Sequence, residues 1–429
     1  MAINLYKHQR DIIDADPKKT GLFLGTGSGK TRVALMLSKG RTLVICPKTQ
    51  KEDRNWEREE KNILMHTQPQ YRRGETPATL KSRVVVMSKE EFRRDAQSLE
   101  RFETVIVDEA HTCLGVTPNI RYRNKQPIPK ASQLYEALEA YLARTKPTRL
   151  YVCTATIVKS PMTVWAAAHL LGRQINWYDF RNEFYLRLPM PGREVFVPKK
   201  DSKSKDALAA LVREIGYVGR LEDFFDVPSQ SFITRHVELT EQQRKKIAEA
   251  PLLWPEPIVR LGKINQIENG ILSGDEFSPP EYFTNQKIER LIDYAAEFPR
   301  MIVVARYRAQ IEQIASALAD QVKHIYKLTG DTPDRGKMLA EVIQDDEYVL
   351  IVQAQMGAGW ELPDCPVMIF ASRTYSHVDH EQAIGRIHRA NALKKNLYIN
   401  LVARSEVDMA VDECLKQKKD FQERVYLGV

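Results

Sequence analysis

The chain has 429 residues, 43% hydrophobic and 28% charged, a balance that suits two globular domains of roughly 150–200 residues and excludes a disordered chain. Its 64 basic and 56 acidic residues leave a formal net charge of +8, which permits a polyanionic partner without specifying one. No apolar run reaches the roughly 18 residues of a membrane span. The start, Met1 to Gln9, has neither the basic nor the apolar region of a signal peptide. The five cysteines, Cys46, Cys113, Cys153, Cys365 and Cys414, are too scattered for a structural metal site or a disulfide framework and point to a reducing cytoplasm.

In chain order, Leu22–Leu24, Thr42–Cys46, Arg83–Met87, Thr104–Val107 and Leu150–Cys153 are short apolar runs separated by helical stretches. Continuous rather than alternating apolar runs predict a parallel sheet covered by helices on both faces. The pattern breaks from about Gly172 to Pro228, where a Pro-, Lys- and Arg-bearing stretch ends in Lys199-Lys200-Asp201-Ser202-Lys203-Ser204-Lys205. Helical content follows from Thr240 to Ile271. Met301–Ala305, Val322–Tyr326, Tyr348–Val352, Val367–Phe370 and Asn396–Leu401 then predict a second parallel sheet. The expected organisation is an α/β chain with one lobe over 1–172, a basic helical and loop insertion or linker over 173–230, and a second lobe over 231–429.

The loop Gly25-Thr26-Gly27-Ser28-Gly29-Lys30-Thr31 follows an apolar strand and opens a helical run, Val33–Leu37. This is the setting of a phosphate-binding loop, in which backbone N–H groups and a helix N-terminus close around phosphates. Lys30 then supplies charge to the phosphates and Thr31 a hydroxyl to Mg²⁺. Leu24 stands where the strict eight-residue pattern begins with glycine. Asp108-Glu109-Ala110-His111 closes the strand that ends at Val107; Asp108 is placed to hold Mg²⁺ and Glu109 to polarise an attacking water. ATP and Mg²⁺ are the expected cofactors.

With Asp-Glu-Ala-His the chain resembles a superfamily 2 helicase, and further motifs follow in that family's order. The resemblance implies two RecA-like lobes. Leu5–Gln9 is similar to the upstream glutamine motif, whose Gln, here Gln9, reads adenine. Val44–Pro47 resembles the motif that grips the nucleic-acid backbone, and Thr154-Ala155-Thr156 the motif that couples ATP to the strand track, a role that takes in His111, Thr154 and Thr156. The continuation Ile157–Pro161, with Val164-Trp165-Ala166, Leu170-Leu171-Gly172 and Val227 to Gln243, looks like the Swi/Snf branch.

In the second lobe, Leu328–Thr332 resembles the loop before motif V, and Gln353 to Leu362 resembles motif V. There Gly359 and Glu361 are expected near the nucleotide, Glu361 replacing the family's usual Asp or Asn. Gln382-Ala383-Ile384-Gly385-Arg386-Ile387-His388-Arg389 is similar to motif VI. Its arginines, three apart, share one side of a helical turn and are expected, with Gln382, to act catalytically on the γ-phosphate. The nucleic-acid candidates are Pro47, Lys48, Ser88, Arg306, Tyr307, Arg308 and Gln353, which would contact backbone without reading sequence.

Two departures from the family pattern are expected. Leu114 to Pro129, with Arg121, Arg123 and Lys125, is longer than usual, and the protein is expected to be little more than the motor, without an appended recognition domain. Motors of this size in this branch are common in phages, which implies a phage source, a bacterial host cytoplasm and a monomeric protein. The basic stretch Arg181 to Lys205, with Tyr185 and Phe196, reads equally as a DNA-gripping element or a solvated loop. Lys416-Gln417-Lys418-Lys419 reads as a solvated helix end. Strand-separating helicase, duplex translocase and ATP-gated nucleic-acid-binding module all stay open, with DNA as partner; a small-molecule kinase would leave the later motifs without a purpose.

Overall fold

The computed structural model describes residues 5–52, 54–67, 83–123, 125–190, 193–274, 279–356, 360–389 and 395–417. The chain divides into two compact units, Met1–Phe225 and Asp226–Val429, each built on a six-stranded, wholly parallel sheet with helices between its strands. Both are RecA-like lobes.

The strands of the first unit are β1 (Lys19–Leu24), β2 (Thr42–Cys46), β3 (Val84–Ser88), β4 (Thr104–Val107), β5 (Val116–Arg123), β6 (Gln126–Ala131), β7 (Arg149–Cys153), β8 (Tyr185–Met190), β9 (Arg193–Pro198) and β10 (Gly216–Gly219). The main sheet has the order β10-β1-β7-β4-β2-β3, while β5–β6 and β8–β9 are separate antiparallel hairpins. Successive side chains in a strand face opposite sides, so the sheet serves two cores. Leu43, Ile45, Val105, Val107, Leu150 and Val152 pack on one face. Val44, Cys46, Ile106, Tyr151 and Cys153 pack on the other. Burial on both faces is why these strands read as unbroken apolar runs.

In the second unit the strands are β11 (Gln230–Val237), β12 (Ile271–Leu272), β13 (Glu281–Tyr282), β14 (Arg300–Ala305), β15 (Ile325–Leu328), β16 (Tyr348–Gln353), β17 (Val367–Phe370) and β18 (Asn396–Ala403). The sheet order is β11-β18-β17-β14-β16-β15, with β12–β13 a short hairpin beside it. Ile302, Val304, Leu350, Val352, Met368 and Phe370 bury one face; Met301, Val303, Val349, Ile351, Val367 and Ile369 bury the other. Among the described residues no helix is long and apolar enough to cross a membrane.

Of the segment 173–230, residues 173–225 fall in the first unit and 226–230 in the second. Helices Trp177–Phe184 and Ser202–Ile215 and the hairpin β8–β9 belong to the first unit, and β10 completes its sheet by pairing parallel with β1. That pairing needs glycine: a Cβ on Gly216 would lie 2.5 Å from the Gly21 carbonyl oxygen. Arg181, expected in a basic insert, is instead buried, its guanidinium over the rings of Tyr178 at 4.3 Å and Phe196 at 4.6 Å. Val322–Tyr326 was expected as a strand, whereas the strand β15 begins at Ile325, because Gln321 and Val322 still bond back to Leu318 at the end of the preceding helix.

Candidate functional site

All strands of the first sheet run parallel, so the loops at their C-terminal ends gather on one edge, where open α/β sheets place ligands. The loop after β1 is the phosphate-binding candidate. Gly27 and Gly29 take φ values of 81° and 83°, a left-handed conformation open to glycine at little cost. Gly29 caps the helix Lys30–Leu37. Ser28 Oγ donates to the Gly25 carbonyl at 2.7 Å, closing the loop on itself. Lys30 Nζ donates to the carbonyls of Leu24 at 2.8 Å and Gly25 at 3.0 Å, so its ammonium lies over the loop that surrounds it. Thr31 follows in the first helical turn.

Gln9 braces this loop. It is buried, and its Nε2 donates to the Ser28 carbonyl at 3.0 Å while its Oε1 accepts from Tyr6 N–H at 3.2 Å. A Cβ on Gly29 would meet Gln9 Nε2 at 2.2 Å. His8 Nε2 lies 3.0 Å from the same Ser28 oxygen and its ring stacks on Phe224 at 4.0 Å. The residue expected to read adenine therefore also braces the loop, through one N–H and one lone pair of its carboxamide. Sequence reasoning missed His8 and Phe224, and only the aromatic pair in Asp223-Phe224-Phe225 hinted at the latter.

At the end of β4, Asp108 is buried. Burial, and then the adjoining Glu109 charge, push its carboxyl up to about 6, against the pull of Lys30. The structure thus places the loop lysine and the acidic pair within electrostatic reach. Glu109 has φ 44° and ψ 50°, a left-handed conformation costing a non-glycine residue about 1–3 kcal/mol. Its backbone N–H donates to Asp108 Oδ1 at 2.9 Å, and its carbonyl accepts from buried Lys89 Nζ at 3.0 Å. Lys89 also bonds the Thr112 hydroxyl; it carries no motif signal and was not anticipated.

His111 Nδ1 stands 2.9 Å from Thr154 Oγ1 at the end of β7 and 3.4 Å from Glu109 Oε2. Desolvation holds its imidazole down at about 4, so it is neutral near pH 7. Thr154 Oγ1 in turn accepts from Thr156 N–H at 3.1 Å. The three residues expected to couple are therefore joined in one hydrogen-bonded chain that touches the acidic pair.

The strand-track candidates of the first unit divide. Pro47 and exposed Lys48 stand at the end of β2, with Lys48 Nζ 3.7 Å from Glu52. Ser88 instead caps the helix Lys89–Asp95, its hydroxyl accepting from Glu91 N–H at 3.2 Å. The cap uses the oxygen as an acceptor and leaves its O–H as a donor, while Ser88 is itself buried.

In the second unit, motif VI is not all helix: the helix His377–Ile384 ends before the arginines, and a turn carries the chain on. Gln382 is half-buried in the helix. Arg386 and Arg389 are both buried. Arg386 Nε donates to the Gln382 carbonyl at 3.0 Å and Nη1 to the Trp360 carbonyl at 3.3 Å. Arg389 Nη2 lies 2.7 Å from Glu361 Oε1, and its Nε is shielded without a partner among the described residues. Burial lowers the pKa of its guanidinium. The residue assigned to the ribose thus pairs with the arginine assigned to phosphate. Gly359 lies outside the described residues.

After β14, Arg306, Tyr307 and Arg308 point different ways. Arg306 sits 3.7 Å over the Tyr375 ring, and exposed Arg308 pairs with Asp331 at 2.7 Å. Tyr307 O–H donates inward to Asn265 Oδ1 at 2.7 Å, and burial raises its pKa. Its ring is half-buried, with the hydroxyl engaged by Asn265. Gln353 Oε1 accepts from Gly330 N–H at 3.4 Å, tying motif V to the loop before it.

Among the described residues no cluster of three His, Cys, Asp or Glu side chains forms a metal cage. Mg²⁺ carried with a nucleotide does not require one, since it is usually held by one or two protein groups, phosphates and water. Asp108 fits that demand: it is a desolvated carboxyl whose charge the protein leaves incompletely matched.

Residues 285–391 match the helicase conserved C-terminal domain family, a span that contains Gln353, Arg386 and Arg389. The structure is similar to the Hef helicase domain of Pyrococcus furiosus, with 16% identity, 96% of this chain and 98% of that chain covered, and a TM-score of 0.50. The SWI2/SNF2 ATPase core of Sulfolobus solfataricus, in complex with dsDNA, is similar over 97% of this chain and 92% of that one, at 16% identity and a TM-score of 0.40. No curated protein sequence matches the chain significantly.

Proposed function

We propose that this chain, a superfamily 2 helicase whose second lobe carries the helicase conserved C-terminal domain, is an ATP-dependent DNA helicase or translocase. The observation that carries the proposal is the grouping on one sheet edge of a phosphate loop centred on Lys30, the Asp108–Glu109 pair that feels its charge, and the His111–Thr154 link. A structural loop would not need a buried acidic side chain in the field of a loop lysine.

In this reading the amides of Gly25 to Thr31 and Lys30 hold the β- and γ-phosphates of ATP. Thr31 and Asp108 hold Mg²⁺, which when bound neutralises phosphate charge. Glu109 orients the attacking water and receives its proton, and His111, neutral and held by Thr154, links the acidic pair to the Thr154 loop. Arg386 and Arg389 of the second lobe stabilise the charge of phosphoryl transfer, with Gln382 beside them. Hydrolysis that needs groups from both lobes makes their closure depend on ATP, and repeated closure moves the lobes along a backbone. Pro47, Lys48, Ser88, Arg306, Tyr307, Arg308 and Gln353 supply backbone contacts. The setting that fits is phage replication, recombination or branched-DNA remodelling in a bacterial cytoplasm.

The Swi/Snf-like stretch after Thr156 favours a second reading, duplex tracking without strand separation. Displacement assays separate the two. A helicase releases a labelled strand from forked DNA with ATP and not after Lys30→Ala. A duplex translocase instead displaces a triplex-forming oligonucleotide from duplex DNA. If neither occurs, the motor reading falls and an ATP-gated binding module takes its place.

A further inference from the structure

The stretch after the Asp-Glu-Ala-His motif, longer than the family pattern, folds as the hairpin β5–β6 and closes one side of a groove on the first unit. The groove encloses about 1010 Å³ between the hairpin, the helix Lys89–Asp95 and the helix Gln133–Thr145. Five arginines line it, Arg93, Arg94, Arg121, Arg123 and Arg144, against the carboxylate of Glu136 in the lining and that of Asp95 beside Arg94. Its floor is a stripe of the second helix in which Ala137 and Ala140 leave room between longer side chains.

We propose that this groove binds the phosphodiester backbone of DNA, as a contact separate from the strand track at the edge of the sheet. The proposal rests on the nucleic-acid reading above. Three arginines are fixed in place by local acceptors. Arg121 pairs with Glu136, Arg94 with Asp95 at 2.8 Å, and Arg144 Nη2 donates to the carbonyls of Ala96 and Leu99, both at 2.9 Å. A guanidinium has five N–H donors, so one or two local acceptors leave donors for phosphate and reduce the freedom lost on binding. Arg121 Nε is shielded with no partner among the described residues. Arg93 and Arg123 are exposed. Tyr122, between the hairpin arginines in sequence, is 74% exposed.

The groove's chemistry excludes the usual small-molecule pocket, which is mostly apolar; spread positive charge in an open groove suits a polymer backbone. Its position separates it from the motor's own track. Arg93 and Arg94 lie in the last turn of a helix that starts at Ser88. Arg144 lies in the last turn of the helix that leads into β7. Both helices return across the sheet, so these arginines sit toward the edge opposite to Lys30 and Asp108.

The test is the salt dependence of binding to fluorescein-labelled duplex DNA, followed by anisotropy, for the full chain and for Arg93→Gln/Arg123→Gln. The slope of log affinity against log salt is expected to shrink by about 2, and affinity to fall at least about tenfold at low salt. Arg93→Lys/Arg123→Lys is expected to keep the slope, and ATP turnover without DNA stays within about twofold in both. Unchanged slope and affinity in the glutamine variant overturn the groove alone. An affinity loss with no change of slope overturns its assignment to phosphate. A parent chain that binds no DNA overturns the nucleic-acid reading itself.

Discussion

His111 Nδ1 and Thr154 Oγ1, 43 residues apart in the chain, meet at 2.9 Å and bridge the ends of β4 and β7, neighbouring strands of the first sheet. The same imidazole lies 3.4 Å from Glu109, so a shift of the Thr154 loop is felt at the acidic pair through a single ring. His111→Ala is therefore expected to cut DNA-stimulated ATP turnover about tenfold while basal turnover changes little. Equal losses in both rates would show that His111 serves the chemistry rather than the link.

Glu109 is held in a left-handed conformation by its bonds to Asp108 and Lys89. On its proposed role, Glu109→Gln lowers turnover about 10²–10⁴-fold and leaves ATP affinity near that of the parent, because the amide keeps the shape of the side chain. Lys30→Ala is expected to lose affinity as well. Fluorescent-nucleotide binding beside phosphate release separates the two outcomes.

Arg389 belongs to the second lobe and pairs with Glu361. Arg389→Ala is expected to lower turnover by about 10³-fold with nucleotide affinity changed far less, since the phosphate loop is untouched. Parent-like turnover in this variant would remove the second lobe from the chemistry.

Glu268 is buried in the second unit beside Asp408, Lys287 and Asn265. Burial and then the Asp408 charge raise its carboxyl from 4.5 to about 7. The folded chain thus holds a proton there that the unfolded chain has released. Its contribution to stability is complete below about pH 4.5 and is lost as pH rises through 7. Glu268→Gln should gain on the parent between pH 5 and 8 by up to about 3 kcal/mol, read from urea unfolding. A constant difference across that range would contradict the raised carboxyl.

The two sheets were legible because strands buried on both faces are unbroken apolar runs, as at Leu43–Ile45 and Val303–Ala305. The edge strand β10 was not, because Gly216-Tyr217-Val218-Gly219 is short, with Gly216 placed for close approach to β1 and Gly219 leaving room for the Phe224 ring. Lys30, Asp108 and Glu109 were readable because phosphate chemistry constrains spacing within one loop and one strand end. Lys89, His8 and the second role of Gln9 were not, since each acts through a partner distant in sequence. The inward phenol of Tyr307 shows the same limit: a residue after a strand end reads as available until its neighbour, here Asn265, is known.

The most direct measurement is steady-state ATP hydrolysis by the full chain, with and without saturating single-stranded, duplex and forked DNA. The account predicts slow turnover alone, a rise of at least about tenfold with one or more of these DNAs, and none of it in Lys30→Ala. A turnover indifferent to all three DNAs, or one that survives Lys30→Ala, would contradict it.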